Sequence, residues 1–527
     1  MERTTEEIMG ALVFLVLWFL LMYVLNIVWL KPWELRKKLE KQGITGPMPS
    51  LLVGNVPEMK RIQSEEAKKA QVKSPNFHAG HDYAPTLFPY LERWRKQYGP
   101  LFLYSTGKKL HLYMNRPDLV KNLSMSMSWN LGKPLYLTKA MAPIFGNGVI
   151  RSNGQSWADQ RKIIAPELYM DRVKGMGGLI VESAMSLVKS WEKRIEDGGG
   201  GMAEIKIDQD LRNYSADVIS RACFGSSYHQ GEEIFFKLRA LKNIMSEQSF
   251  LFRLCNISHL PTMKNRAIWR LKREIESLIM NLLKQRNGVA SGHENDLLHA
   301  MLKAASRECP GLATSTQFIV DNCKGIYFAG HDTTAITATW CLMLLATHPE
   351  WQHRVRQEVL QVCGDALPDA ISLNNLKTVK MVIQETLRLY PPSPFVSREV
   401  LEDIKIGDFL IPKGVLIWTS IPALHHDHDL WGPDANKFNP GRFAKGLKQA
   451  CKLPQVYVPF GLGPRVCLGQ NFALAQLKLV LALIVSRFSF SLSSNYNHSF
   501  AYRLTVEPGN GVDLLLTNFT KSQGTLS

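Results

Sequence analysis

From Gly10 to Leu30 the chain is almost wholly apolar, with Leu15, Trp18, Phe19, Leu20 and Leu25 in the run. About 20 such residues cross a bilayer as one helix. Further on the apolar positions recur at helical spacing, which predicts helices over Leu87–Tyr98, Trp157–Glu167, Leu179–Ile195, Ile268–Gln285 and Ser315–His348. Strand signals are fewer. Ile404–Ile406 and Val415–Ser420 are β-rich and flank Gly407, Pro412 and Gly414. Leu504–Leu516, interrupted by Pro508-Gly509-Asn510-Gly511, reads as a late hairpin. The pattern predicts a mainly α protein with a small β region, preceded by a single N-terminal transmembrane helix.

The flanks orient that helix. Glu2, Glu6 and Glu7 precede it, whereas Lys31, Arg36, Lys37, Lys38 and Lys41 follow. Positive charge stays cytoplasmic, so residues 1–9 are expected in the lumen and the body in the cytosol, on an endoplasmic-reticulum membrane. The apolar run is too long for a cleaved signal peptide, and no small-residue cleavage site follows it. Tyr23 and Trp29 suit the interface. Gly46-Pro47-Met48-Pro49 breaks the helix. The expected divisions are an anchor over 10–30, a basic, Pro-rich hinge over 31–50 and one globular body over 51–527. Gly198 to Gly201 is the one low-complexity patch and reads as a surface loop.

Composition narrows the partners. The 527 residues carry a formal net charge of +17. Lys and Arg are scattered through amphipathic segments with no basic arm, which argues against nucleic acid and for membrane lipid plus an acidic partner. Of the 8 Cys, none forms a C-x-x-C pair, which argues against structural zinc. So few Cys in so long a chain also argue against a disulfide framework. Sequons at Asn122, Asn213, Asn256, Asn497 and Asn518 matter only in a lumenal body, which the anchor argues against.

One cysteine has a distinctive setting. Phe460-Gly461-Leu462-Gly463-Pro464-Arg465-Val466-Cys467-Leu468-Gly469 leads directly into an apolar helix over Phe472–Phe488. Backbone N–H groups at a helix N-terminus stabilise a thiolate. Gly463 permits a turn that aims N–H groups at the sulfur, and Gly469 removes a side chain where a flat cofactor must lie close. Phe460 would shield the sulfur, and Arg465 supplies a cation for a cofactor carboxylate. A lone Cys is more often a buried structural residue, but such a residue does not need Phe, two Gly and Arg at these offsets.

The segment resembles the haem-binding signature F-x-x-G-x-R-x-C-x-G of the cytochrome P-450 superfamily, matched at every fixed position. The resemblance implies the cytochrome P-450 fold, haem b, and Cys467 as the axial ligand of the iron, with Arg465 on a haem propionate. Other segments follow in the family's order. Glu385-Thr386-Leu387-Arg388 and Phe438-Asn439-Pro440-Gly441-Arg442-Phe443 imply a buried structural cluster of Glu385, Arg388 and Arg442. Alone, an E-x-x-R is an ordinary surface pair. Gly441 stands where many members have Glu. Trp157 and Arg161 match the family's W-x-x-x-R, and Arg398 its third propionate position. Without that context, Trp157–Arg161 is a plain amphipathic helix.

Ala329-Gly330-His331-Asp332-Thr333-Thr334 lies mid-way along the longest expected helix. Gly and two Thr are unfavourable there, and by themselves they suggest a helix-packing site or a polar notch made by hydroxyls bonding back to carbonyls. The segment resembles the family's A-G-x-D/E-T-T, which implies that Thr333 steadies the oxygen substrate and Asp332 relays protons. The implied reaction inserts one oxygen atom of O2 into a C–H bond. NADPH supplies the electrons through NADPH–cytochrome P-450 reductase, since no flavin or nicotinamide fingerprint occurs here. Lys445, Lys448 and Lys452 could join a basic docking face or be an ordinary solvated run.

Pocket residues by the same resemblance are Leu135, Leu137, Met141, Ile144, Phe145, Ile326, Phe328, Phe395, Val396 and Val512. This apolar lining implies a bulky hydrophobic small-molecule substrate. Ile326 to Thr334, Pro394-Phe395-Val396-Ser397-Arg398-Glu399 and His425-His426-Asp427 look like the plant clan oxidising gibberellins, brassinosteroids, cytokinins and triterpenoids. Its gibberellin/triterpenoid branch is the nearest in pattern. Two other classes share the thiolate: a haem-thiolate isomerase or dehydratase, and a non-catalytic terpenoid-sequestering protein. Neither needs the Asp332–Thr333 pair.

Overall fold

The computed structural model describes all residues except 1, 73–80, 126–128, 200, 226–227, 247–259, 288–295, 307–314, 365, 370–371 and 520–527. It divides into two compact units. The first comprises Met1–Ser74, Ala84–Pro134 and Phe395–Ser420; the second comprises Pro75–Tyr83, Leu135–Pro394 and Ile421–Ser527.

The first unit begins with helix α1, Glu2–Leu25, which continues through a π turn at Asn26–Leu30 into α2, Lys31–Glu40. Met9–Glu40, with a mean hydropathy of 2.6 over its most apolar window, is the one helix among the described residues long and apolar enough to cross a membrane. The expected hinge over 31–50 is therefore helical for its first half. Pro32 has no N–H to give to the carbonyl one turn back, and the widened π turn before it absorbs that loss without ending the helix. Arg36 then anchors the exit, donating to Glu40 at 2.7 Å and to the Gly46 carbonyl at 2.9 Å. Any side chain on Gly46 would run into the Leu103 carbonyl, so the chain lies flat on a strand here.

A five-stranded sheet completes this unit, in the order Leu101–Thr106, Lys109–Met114, Leu416–Ser420, Phe395–Val400 and Leu131–Gly132. Only the pair of Lys109–Met114 with Leu416–Ser420 is parallel. The first two strands escaped sequence prediction because five of six positions in each are buried, which erases the polar/apolar alternation.

In the second unit the main helices are α3 (Gly154–Ile164), α4 (Ile207–Phe224), α5 (Tyr228–Ser246), α6 (Ser315–Thr347), α7 (Lys377–Leu389) and α8 (Gln470–Arg487). Helix α6 is buried nearly throughout, and α4 packs along it so closely that a Cβ on Gly330 would meet Ile219 at 2.5 Å. A three-stranded sheet orders Met202–Lys206, Asp513–Asn518 and Phe488–Leu492. The late hairpin differs from expectation. Phe500–Arg503 pairs with Thr505–Pro508 across Leu504, whose φ is 65°, and Pro508–Gly511 instead carries the chain over to the other sheet. A non-Gly residue at positive φ gives no sequence signal, whereas Pro-Gly-Asn-Gly mimics a hairpin turn.

Candidate active site

The loop before α8 presents Cys467. Its backbone N–H donates to the Phe460 carbonyl at 2.9 Å, closing the turn, while Gly461 and Gly463 take φ of 82° and 67°. The thiol is solvent-accessible yet sits deep among neighbours. Burial pushes its pKa up; the Gly469 N–H and the Arg161 guanidinium oppose that. A Cβ added to Gly469 would project into open space beside the loop. Phe460 is half-buried at the loop's other end.

Two cations meet this loop through α3. Arg161 donates to the Val466 carbonyl at 3.1 Å, while Arg465 donates to the Ser152 carbonyl at 3.0 Å and to Asn153 Oδ1 at 2.9 Å. Both guanidiniums lie over the buried Trp157 ring, at 4.4 Å for Arg465 and 5.7 Å for Arg161. Helix α6 fixes this helix in place: Asn322 Nδ2 donates to Gln160 Oε1 at 2.9 Å, and Val149 N–H donates to Asn322 Oδ1 at 2.9 Å. Two guanidiniums on one indole form a donor set suited to a carboxylate-bearing ligand.

Beside the thiol loop, the structure brings together Glu385, Arg388 and Arg442. Arg388 donates to Glu385 at 2.7 and 2.8 Å and to the carbonyls of His425, Ala435 and Lys437 at 2.7, 2.6 and 3.1 Å. Arg442 reaches Glu385 at 3.1 Å. Glu385 and Arg388 are wholly buried, and nearly every bond a guanidinium can offer is used. Sequence reasoning gave His425 no role, yet it links this cluster to the thiol loop. Its Nδ1 is 3.0 Å from the Arg388 carbonyl, and its Nε2 accepts from Val458 N–H at 3.0 Å. That pattern needs the neutral ring protonated on Nδ1. Burial and the Arg388 charge hold its pKa down at about 3.

Between Phe318 and Ala346, only Ala329, Gly330 and Thr333 on α6 are not buried, and their spacing puts them on one face. Thr333 donates to the Ala329 carbonyl at 2.8 Å, so it turns lone pairs outward. Thr334 and Thr337 also bond back, at 3.3 and 2.9 Å, but α6 runs on unbroken. Asp332 points elsewhere, into a buried ionic cluster that sequence reasoning missed. Arg212 of α4 donates to it, Lys242 of α5 donates at 2.8 Å, and Thr505 at 3.2 Å. Glu507 accepts from the same cations, at 2.9 Å from Arg212 and 3.1 Å from Lys242, and from Arg503 at 2.8 Å. The neighbouring Lys242 and Arg212 outweigh burial and hold Asp332 well below the usual carboxylate range. A signal existed: Lys242 falls on the stripe of Leu238, Leu241 and Met245 that faces the core, where a cation needs a buried acid.

Leu137, Met141 and Phe145 are half-buried along two short consecutive helices, Leu135–Ala140 and Ala142–Phe145, and the Phe145 ring meets the buried Phe328 edge-on at 5.4 Å. Val512 is wholly buried where the chain crosses between sheets, and its N–H donates to Asp208 at 2.6 Å. Ile144 is likewise core, while Leu135 is exposed and borders a different recess with Ser152 and Asn153. Phe395, Val396 and Arg398 lie in the first unit on one strand. Phe395 packs against Phe88 and Trp418 at 4.7 and 5.2 Å, and Arg398 is buried between Val396 and Val400, which pulls its pKa down to about 10.

A crowded but accessible thiol, a glycine edge beside it and paired guanidiniums for carboxylates fit haem held through sulfur. Fold and site together define a haem-thiolate oxidoreductase. The family model "Cytochrome P450" matches residues 75–503, and the chain belongs to that family. It is 49% identical to cytochrome P-450 714A2 of Arabidopsis thaliana, over 91% of this chain and 92% of that protein. It is 50% identical to cytochrome P-450 714C2 of Oryza sativa subsp. japonica, over 94% and 95%, and 48% identical to cytochrome P-450 714B3 of Zea mays, over 94% and 93%. The protein is thus a plant-type haem-thiolate monooxygenase, using haem b and O2 with NADPH electrons passed on by a reductase.

Proposed function

We propose that this monooxygenase oxidises a bulky terpenoid, either a gibberellin-type diterpenoid or a pentacyclic triterpenoid, at the cytosolic face of the endoplasmic reticulum. The observation that carries the reading is the Cys467 loop packed against the Trp157–Arg161 helix, with the Thr333 face elsewhere on the same unit. Haem b, when bound through Cys467, supplies the chemistry that splits O2 and inserts one atom into a C–H bond. The chain does the rest. Trp157, Arg161 and Arg465 bind carboxylates, Phe460 shields the sulfur, and Gly463 and Gly469 leave room for the flat ring. Glu385, Arg388 and Arg442 hold the thiol loop in place.

Thr333 offers an acceptor oxygen on the open face, and Asp332, turned from that face into its ionic cluster, serves as the proton relay behind it. Leu137, Met141, Phe145 and Phe328 would exclude water from an apolar substrate. NADPH–cytochrome P-450 reductase, a bulky hydrophobic small-molecule substrate and membrane lipid are the expected partners.

Co-expression with a plant reductase and a terpenoid panel tests the substrate. Oxidised terpenoid formed only with NADPH supports the reading, and rearranged product without NADPH would identify an isomerase. Thr333→Ala tests the oxygen side: haem should load, but product per NADPH should fall as hydrogen peroxide rises. Unchanged coupling removes Thr333 from the mechanism.

A further inference from the structure

A recess of about 470 Å3 lies between α4, α5 and the Leu504 hairpin, and its walls carry Arg212, Arg239, Lys242 and Arg503 against a single acid, Glu507. Helix α5 supplies one continuous face. Its Arg239, Lys242, Asn243 and Ser246 recur at i, i+3, i+4 and i+7, which sets all four on the side that meets the recess. Glu507 is already taken. Its Oε2 accepts from Arg212 at 2.9 Å and Lys242 at 3.1 Å, and its Oε1 accepts from Arg503 at 2.8 Å. Asp332 holds Arg212 and Lys242 from behind the wall, at 2% exposure. Of the other nearby acids, Asp208 is turned to the Val512 N–H, and Glu232 borders a smaller recess that adjoins Arg239. Set against Glu507 and Asp332, the four cations leave a surplus of positive charge facing the open side. The cluster at Glu385 has none: Arg388 and Arg442 there meet Glu385 and Asp434.

Cations gathered in one concavity focus a positive field, and the group that complements it is an oxyanion with several acceptor oxygens. Arg503 gives one nitrogen to Glu507 and its side chain is 43% exposed, so the rest of its fork is open to a ligand. The exposed Asn243 amide stands on the facing α5 wall. A phosphate monoester, with about two negative charges at neutral pH and three free oxygens, matches this set. None of the lining residues is aliphatic, so the walls offer nothing to an acyl chain. We infer that this recess binds a soluble phosphate monoester, held by Arg239 and Asn243 from α5 and by Arg503 from the hairpin. Arg212 and Lys242 keep their bonds to the two acids and add their field. Binding moves no proton and no electron. It ties α5 to the hairpin, which stabilises both against opening.

The test uses full-length, haem-loaded protein in nanodiscs of neutral lipid. Inorganic phosphate and phenyl phosphate are the probes, with sodium chloride at matched ionic strength as the control. Equilibrium dialysis should show saturable uptake at one site, with phenyl phosphate bound at least as tightly as inorganic phosphate. Arg503→Gln and Asn243→Asp should each weaken uptake by about 10-fold, the low end for a charge-assisted bond because both positions meet water. Lys193→Gln, which removes an exposed charge outside the recess, should change nothing. Hydrogen exchange gives the location: with phenyl phosphate present, the amides of residues 239–246 and 500–508 should exchange more slowly. Should Arg503→Gln not load haem, Asn243→Asp decides, since its side chain is exposed. Uptake that falls equally in Lys193→Gln, or protection confined to other segments, would mean adventitious ion binding by a basic chain and overturns the inference. Exclusion of phenyl phosphate overturns it too, because the recess would then reject esters. If nanodiscs containing phosphatidic acid protect these amides and neither free phosphate does, the occupant is a lipid headgroup and the soluble ligand is wrong.

Discussion

The buried ionic clusters around Glu385 and Asp332, both in the second unit, differ in how they close. Around Glu385, Arg388 is capped by three backbone carbonyls, and Asn439 N–H adds a bond to the carboxylate at 2.9 Å. Around Asp332 the partners are side chains from α4, α5 and a hairpin, and one side opens to the 470 Å3 recess. Buried charge that is fully consumed by backbone fixes a shape. Buried charge left in contact with water can also move a proton. The first cluster closes on backbone, whereas the second leaves one side to the recess.

The largest expected effect breaks the first cluster. Glu385→Ala leaves Arg388 buried without its carboxylate and should cost about 3–5 kcal/mol, enough that little haem-loaded protein survives. Soluble yield, haem content and melting temperature check this. A variant that melts like wild type would mean the cluster is dispensable. Asp332→Asn should be milder, about 1–3 kcal/mol, because Glu507 remains to face the cations. Here folding should persist while oxygen coupling fails, so the two variants separate structure from delivery.

Acid gives a finer contrast. His425 at about 3 and His331 at about 4 are held neutral, while the unfolded chain takes up a proton near pH 6.5. The unfolded state then binds more protons, so both regions lose stability as pH falls from about 6.5. Asp332 and Glu507 are depressed, so their contribution is present above about pH 4 and lost only below it. Melting temperature against pH should fall in two stages. His425→Asn should flatten the upper stage and Glu507→Gln the lower. An unchanged upper slope in His425→Asn would contradict the tautomer assigned from its bonds.

The contrast also explains what the sequence revealed. Glu385, Arg388 and Arg442 were legible through the family resemblance and not through spacing, since an E-x-x-R alone is an ordinary surface pair and the partners lie 37 to 57 residues away in the chain. The thiol loop was legible because its signals are local, with Phe460, Gly463, Arg465 and Gly469 all within ten residues of Cys467. The partners of Asp332 come from three distant segments and share no spacing; only Lys242 on an apolar stripe hinted at them. Helix α6 was legible from its length. The strands 101–106 and 109–114 were not, because burial on both faces removes their alternation. The hairpin turn was expected at Pro508–Gly511 because the chain turns instead at Leu504, a residue with no turn signature.

The central claim is that Cys467 is the thiolate holding the haem. Full-length wild type and Cys467→Ser should be compared by the absorption of their reduced, carbon monoxide-bound forms at matched haem content. The long-wavelength band diagnostic of thiolate ligation should appear in wild type and vanish in Cys467→Ser, together with NADPH-dependent product. A Cys467→Ser protein that kept both the band and the turnover would show that another residue holds the iron, and the site assembled around this loop would be wrong.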